Sequence, residues 1–240
     1  MAQLPWGHNR LIVTKVKAMD EAEFYCIETI NNGWDRDTLE IQIKKNLYQN
    51  TGKALNNFDS TLPSYQSKLV TQTLKDPYNF DFLGLYDDAL EKAIEDELTR
   101  HITEFLLELG KGFAFLGRQY RIEISETDYY LDMLFYHVEL RCYVVIELKS
   151  GKFKPEFAGK LNFYLSAVDS QIKKPEDNTT IGILLCKSKD KIEVEYALRD
   201  INKPMGISEY RLTDAIPEDF KAKLPTIEEL ESELENNVAN

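Results

Sequence analysis

Apolar positions recur at helical spacing in the first third of the chain and alternate like strands in the middle. Phe24, Tyr25, Ile27 and Ile30 follow Asp20 and stop at Asn31-Asn32-Gly33. Leu39, Ile41, Ile43 and Leu47 follow Asp35 and stop near Gly52. Each run reads as a helix opened by an acidic cap and closed by a glycine. A shorter helix is expected around residues 9–17. The two longer helices, joined by Asn31-Asn32-Gly33-Trp34, have the outline of a helix-turn-helix, a motif with many false positives. Residues 52–80 carry Pro63 and Pro77, are poorer in pattern, and read as a connecting segment.

The texture changes at Asp87. A long helix is predicted over 87–109, ending at Gly110 and Gly112, followed by strands at about 113–124, 129–138 and 142–149. Pro155 suits the first turn of a helix running to about Ser170. The apolar run Ile181–Cys186 reads as a buried strand, and another is expected at Gly206–Leu212. Helix, three strands, helix, strand predicts an α/β fold with a mixed sheet flanked by helices, and not a Rossmann repeat. The predicted organisation is a small all-α domain over 1–76 and an α/β domain over 77–240.

Charge changes this picture by its distribution. The 240 residues carry a net charge of -12. Residues 1–80 are balanced, with nine basic and nine acidic side chains, while the tail from Asp214 holds eight acids and two lysines. Between Lys149 and Lys174 six lysines face two acids, a local excess compatible with a phosphate backbone, although a lysine run is also an ordinary solvated face. No apolar run approaches the ~20 residues of a membrane span, and no secretory leader is visible. The unpaired, widely spaced Cys26, Cys142 and Cys186 exclude a disulfide framework and a cysteine zinc site, and point to core positions in a reducing cytoplasm. His8, His101 and His137 are too scattered for a shared metal site, and His137 reads as a surface or boundary residue beside a turn.

The candidate chemistry lies in the predicted hairpin. A turn centred between Glu139 and Leu140 places Asp132 opposite Glu147, with Cα atoms about 4.5–5.5 Å apart. Alternation puts Asp132, Leu134, Tyr136, Tyr143, Val145, Glu147 and Lys149 on one face, and Leu131, Met133, Phe135, Val144, Ile146 and Leu148 on the other. Two facing carboxylates on an apolar sheet need compensation. A divalent cation supplies it, since Mg²⁺ takes oxygen ligands and keeps places for water and phosphate. Lys149 as a plain counter-ion supplies it equally well. On the preceding helix, Leu90, Ile94, Leu98, Ile102, Phe105 and Leu109 form a stripe that includes Glu91, either as a site residue or as the N3 partner of an Asp88 capping box.

A helix bearing Glu91, a strand bearing Asp132 and the string Ile146-Glu147-Leu148-Lys149 resemble the PD-(D/E)XK nuclease superfamily, with its restriction-endonuclease-like fold. The chain is similar to the YhcG family in particular along 105–110, 117–119, 131–137, 145–149 and 162–165. Leu4-Pro5-Trp6-Gly7-His8, Phe24-Tyr25 and Gly33-Trp34 resemble that family's N-terminal helical domain. The resemblance covers nearly the whole chain.

What the resemblance implies is a metal-dependent endonuclease or exonuclease acting on DNA, with Mg²⁺ or Mn²⁺ as cofactor. Asp132 and Glu147 would bind metal with the Leu148 carbonyl, Lys149 would position water or stabilise the transition state, and Glu91 would complete the site. Gln119, Lys152 and Lys154 would support it or bind phosphate. Related nucleases often carry Gln-x-x-x-Tyr on the following helix, where this chain has Lys160 and Tyr164, so a cation replaces the amide. The alternative is a non-catalytic nucleic-acid-binding or assembly component that keeps the fold. Nucleic acid, and DNA above all, is the expected partner. No membrane is implied, and assembly into homo-oligomers stays open.

Overall fold

In the computed structural model, which describes residues 4–86 and 88–212, four helices lead the chain: α1 (Trp6–Lys15), α2 (Met19–Asn32), α3 (Arg36–Lys44) and α4 (Leu47–Asn50). They close around Leu11, Ile12, Tyr25, Cys26, Leu39 and Leu47. Asp35 caps α3 as expected, accepting from the Thr38 amide at 2.8 Å. Asp20 does not cap α2. Ala18 holds that position, and Asp20 lies in the first turn, where its carboxylate complements the helix dipole and accepts from the Tyr48 hydroxyl at 2.6 Å.

The stretch expected to be a connecting segment is built into the sheet domain instead. It carries β1 (Leu55–Asn56), α5 (Phe58–Thr61), α6 (Ser64–Thr73) and β2 (Tyr78–Asn79). Phe58, Val70, Leu74 and Tyr78 are buried in the sheet's core. β1, α5 and β2 are two to four residues long, too short to show a periodicity, and Pro63 occupies the N-cap of α6, where its missing N–H costs nothing.

Next come α7 (Glu91–Arg100) and α8 (Ile102–Leu109), two helices where one was expected. The break falls at His101, and Ile94, Leu98, Phe105 and Leu109 remain fully buried across it. Leu90, placed by the wheel in the buried stripe, is exposed at the N-cap of α7. The remaining elements are β3 (Phe113–Ile124), β4 (Thr127–His137), β5 (Cys142–Leu148), α9 (Pro155–Gln171), β6 (Ile181–Cys186), α10 (Lys191–Leu198) and β7 (Met205–Arg211).

The sheet is mixed and seven-stranded, in the order β1-β7-β6-β5-β4-β3 with β2 also on β7. β5, β6 and β7 are parallel, joined through α9 and α10, while β3, β4 and β5 form an antiparallel meander. One face packs Met133, Phe135, Val144 and Ile146 against α7 and α8, and the other packs Leu134, Val145 and Leu184 against α9 and α10. This is the expected flanked mixed sheet after a helical N-terminal region. The acidic tail from Asp214 lies outside the described residues.

The hairpin register holds, with Met133 opposite Ile146 and His137 opposite Cys142. The strict alternation of faces does not, because Leu131 joins Leu134 and Val145. Pairing with β5 stops at Met133, and across from Asp132 the β3 residue Gln119 has φ 44, so the ladder is irregular where the acid sits. His137 is buried and not a surface residue. Its ring packs 4.8 Å from that of Phe113, and a Cβ on Gly112 would come within 2.5 Å of it. The three cysteines are buried and free, as expected.

Candidate active site

Three elements converge at the open end of the β4–β5 ladder. β4 supplies Asp132, β5 supplies Glu147 and the chain just beyond it Lys149, and the first turn of α7 supplies Glu91. Asp132 and Glu147 are each braced by a backbone amide of the facing strand. The Leu148 amide donates to Asp132 Oδ2 at 2.9 Å, and the Asp132 amide donates to Glu147 Oε1 at 3.3 Å. These crossed bonds hold the two acids together just past the last pair of the ladder, Met133 and Ile146.

Lys149 Nζ sits among the acids. It donates to Glu91 Oε1 at 2.6 Å and to the Leu148 carbonyl at 2.6 Å, and lies 3.7 Å from Asp132 Oδ2 and 3.9 Å from Glu147 Oε2. Glu91 also accepts from the Ser150 amide at 3.4 Å. The capping-box reading of Glu91 is therefore corrected. Glu91 is itself the first residue of α7, and its carboxylate turns to Lys149.

Lys160 comes from α9. Its ammonium is 2.9 Å from Glu147 Oε2 and lies over the Tyr164 ring, 5.0 Å from the centroid. Burial pushes Glu147 up to about 7, with the Asp132 charge adding to the shift and Lys160 opposing it. Burial also raises Asp132, against the pull of Lys149. Burial lowers Lys160, but the charges of Glu147 and Asp132 outweigh it and the ammonium is held.

Sequence reasoning missed Glu95. It lies one turn beyond Glu91 on α7, is buried, and accepts from Gln119 Nε2 at 2.7 Å. Burial and then the Asp132 charge raise its pKa. Oxygens of Glu91, Glu95 and Asp132 lie within 4.8 Å of one another. The i, i+4 spacing of two acids on one helix was the available signal. Gln119 thus reaches the site through Glu95. Lys152 and Lys154 do not reach it, since the loop after β5 turns them outward to ion pairs with Glu193 at 3.0 Å and Glu156 at 4.0 Å.

Three hard carboxylate oxygens suit a hard divalent cation and not a soft metal. The acids of the cluster and the raised pKa values are the mark of groups crowded beyond what their own counter-ions relieve.

Comparison with known proteins bears on this site. The YhcG PDDEXK nuclease domain profile matches residues 71–225, and the DUF1016 N-terminal domain profile matches residues 1–50. The YhcG protein of Escherichia coli (strain K12) is 37% identical over 202 residues, which is 82% of this chain and 53% of that protein. The chain therefore spans about half the length of this curated relative. A repair endonuclease from Pyrococcus abyssi aligns with TM-score 0.37 and 19% identity, covering 51% of this chain and 47% of that one. EndoMS in complex with double-stranded DNA aligns with TM-score 0.36 and 20% identity, covering 54% and 47%.

Proposed function

The chain belongs to the YhcG PDDEXK nuclease domain family, and from that premise we propose that it is a divalent-metal-dependent nuclease hydrolysing phosphodiester bonds in DNA in the cytoplasm. The observation that carries this reading is the convergence of Glu91, Asp132 and Glu147 on Lys149 Nζ from three separate elements.

Asp132, Glu91 and Glu95 would hold the cation, and Glu147, expected from the sequence as a ligand, is not among this group of oxygens but accepts from the Asp132 amide beside it. Bound there, Mg²⁺ or Mn²⁺ would supply Lewis-acid stabilisation of phosphate charge and a more acidic water. The Lys149 ammonium, held by Glu91 and the Leu148 carbonyl 3.7 Å from Asp132, would orient the attacking water and offset negative charge developing on the phosphate oxygens. Lys160 aims the Glu147 carboxylate and opposes the rise that burial gives its pKa, and Gln119 orients Glu95. No described helix is long and apolar enough to cross a membrane.

The test is incubation with plasmid, linear and single-stranded DNA in Mg²⁺ or Mn²⁺, beside Asp132→Ala. Cleavage by the wild type that is lost in the variant and in EDTA supports the reading. Equal cleavage by both proteins removes it.

A further inference from the structure

Helix α9 buries Ala158, Leu161, Leu165 and Val168 against the sheet and turns Glu156, Gly159, Lys160, Phe163 and Ser166 to solvent. Two residues on that outer strip do not suit a helix that merely packs inward. Gly159 lies well inside α9, and glycine is the poorest interior helix former after proline. Nothing in the fold requires it, because a Cβ built there meets no atom within 4 Å. What glycine offers at such a place is close approach by something outside the fold. Phe163, one turn further on, leaves 39% of its surface in water among Glu, Gly, Lys and Ser neighbours. The Tyr129 ring meets it edge-to-face, 4.9 Å between centroids, and fixes its orientation.

Between these two lies Lys160, exposed along its stem, with its ammonium on Glu147 of the proposed site. The strip is thus continuous with the carboxylates. It also falls within the basic stretch from Lys149 to Lys174 of an otherwise acidic chain.

We propose that this strip of α9 binds a single-stranded segment of the nucleic-acid substrate, with the backbone passing over Gly159 beside Lys160 and an unpaired base stacked on Phe163. Bases within a duplex already stack on their neighbours, so an exposed aromatic ring beside the cleavage site selects a strand whose bases are free. The proposal rests on the nuclease reading for the identity of its ligand.

The experiment measures fluorescence anisotropy of a labelled oligothymidylate, and of a blunt duplex, in EDTA so that nothing is cleaved. Wild type should bind the oligothymidylate more tightly than the duplex. Phe163→Ala should weaken oligothymidylate binding about tenfold and leave duplex binding unchanged, with Phe163→Trp restoring it. Gly159→Leu should weaken oligothymidylate binding by a similar factor while raising Tm by about 2–4 °C, because a strong helix former replaces glycine in open space. Lower affinity together with higher thermal stability is a signature that damage to the fold does not give. No oligothymidylate binding by wild type, or unchanged binding by both Phe163→Ala and Gly159→Leu, overturns the proposal. Those results are separable from the nuclease reading. Wild type that binds as described but never cleaves with Mg²⁺ removes only the nuclease, and wild type that cleaves while the α9 variants bind normally removes only the strip.

Discussion

Lys160 and Glu147 form an ion pair of 2.9 Å in which the carboxylate is 1% exposed and the ammonium reaches it from the solvent side of α9. The pair joins the helix to the end of β5 and gives one of the site's acids a counter-charge supplied by the protein itself. Its partners are unequal, one desolvated and the other still half in water.

That inequality sets the cost of breaking the pair. Lys160→Met keeps a side chain of similar length on α9 but removes the charge and its contact with the Tyr164 ring, leaving Glu147 buried with Lys149 as its remaining cation. A fully buried pair would cost about 3–5 kcal/mol to break. Solvent screening at Lys160 and the ease with which Glu147 takes up a proton reduce this to about 1–2 kcal/mol. Urea unfolding of wild type and Lys160→Met at neutral pH measures it, and equal midpoints would mean that the pair contributes nothing to the fold.

Asp132 should behave in the opposite sense. Asp132→Asn keeps an oxygen to accept from the Leu148 amide while removing one charge from the crowded acids. Without metal the variant should melt at or above wild type. It should also lose most of the stabilisation that Mg²⁺ gives wild type, since a ligand bound only by the native state raises Tm by mass action. Melting curves with and without Mg²⁺ decide this. A variant that melts well below wild type in EDTA and gains the same Mg²⁺ increment would make Asp132 a structural ion-pair partner.

The legibility of this site had a clear physical limit. The turn at 138–141 fixed the register as far as Met133 and Ile146, which brings Asp132 and Glu147 together just past the last pair. The restriction-endonuclease-like order of elements was also readable, because Ile181–Cys186 and the Pro155 helix carry strong local signals. The role of residues 54–80 was not, because two-residue strands have no period and join the sheet only through β7, about 130 to 150 residues away. Glu95 shares a helix face with Glu91 at i, i+4, but only its partner Gln119 on β3 marks it as a site residue, and a contact across that sequence distance leaves no local pattern. Lys152 and Lys154 fitted a charge count but not a direction, which the loop alone decides.

Gln119 carries a testable strain. At φ 44 it occupies the left-handed region beside Asp132, and its amide holds Glu95. Gln119→Gly relieves about 1 kcal/mol of backbone strain and loses one hydrogen bond worth about the same, so its stability should match wild type within about 1 kcal/mol. Gln119→Val should cost about 2–3 kcal/mol, because a β-branched residue tolerates that backbone poorly and the bond is lost as well. If valine is tolerated as well as glycine, the backbone at 119 relaxes and stores no strain.

His137 predicts how stability depends on pH. The Leu140 amide donates to Nδ1 at 3.2 Å, so the proton of the neutral ring is on Nε2, and the ring is 2% exposed against Phe113. Burial lowers its pKa below the ordinary histidine value of about 6.5, with the Glu139 charge opposing. The unfolded chain therefore takes up a proton at a higher pH than the folded one. Stability from this group is present above about pH 6.5 and is lost as pH falls from there through the lowered folded value, at no more than about 1.4 kcal/mol per pH unit. His137→Gln should start less stable, since the amide fills the space against Phe113 less well, but should show a shallower loss between pH 6.5 and 5. The carboxylates of the site titrate in both proteins and cancel in the comparison. Urea midpoints for the two proteins across that range give the difference directly, and parallel curves would show that His137 is protonated as readily in the fold as outside it.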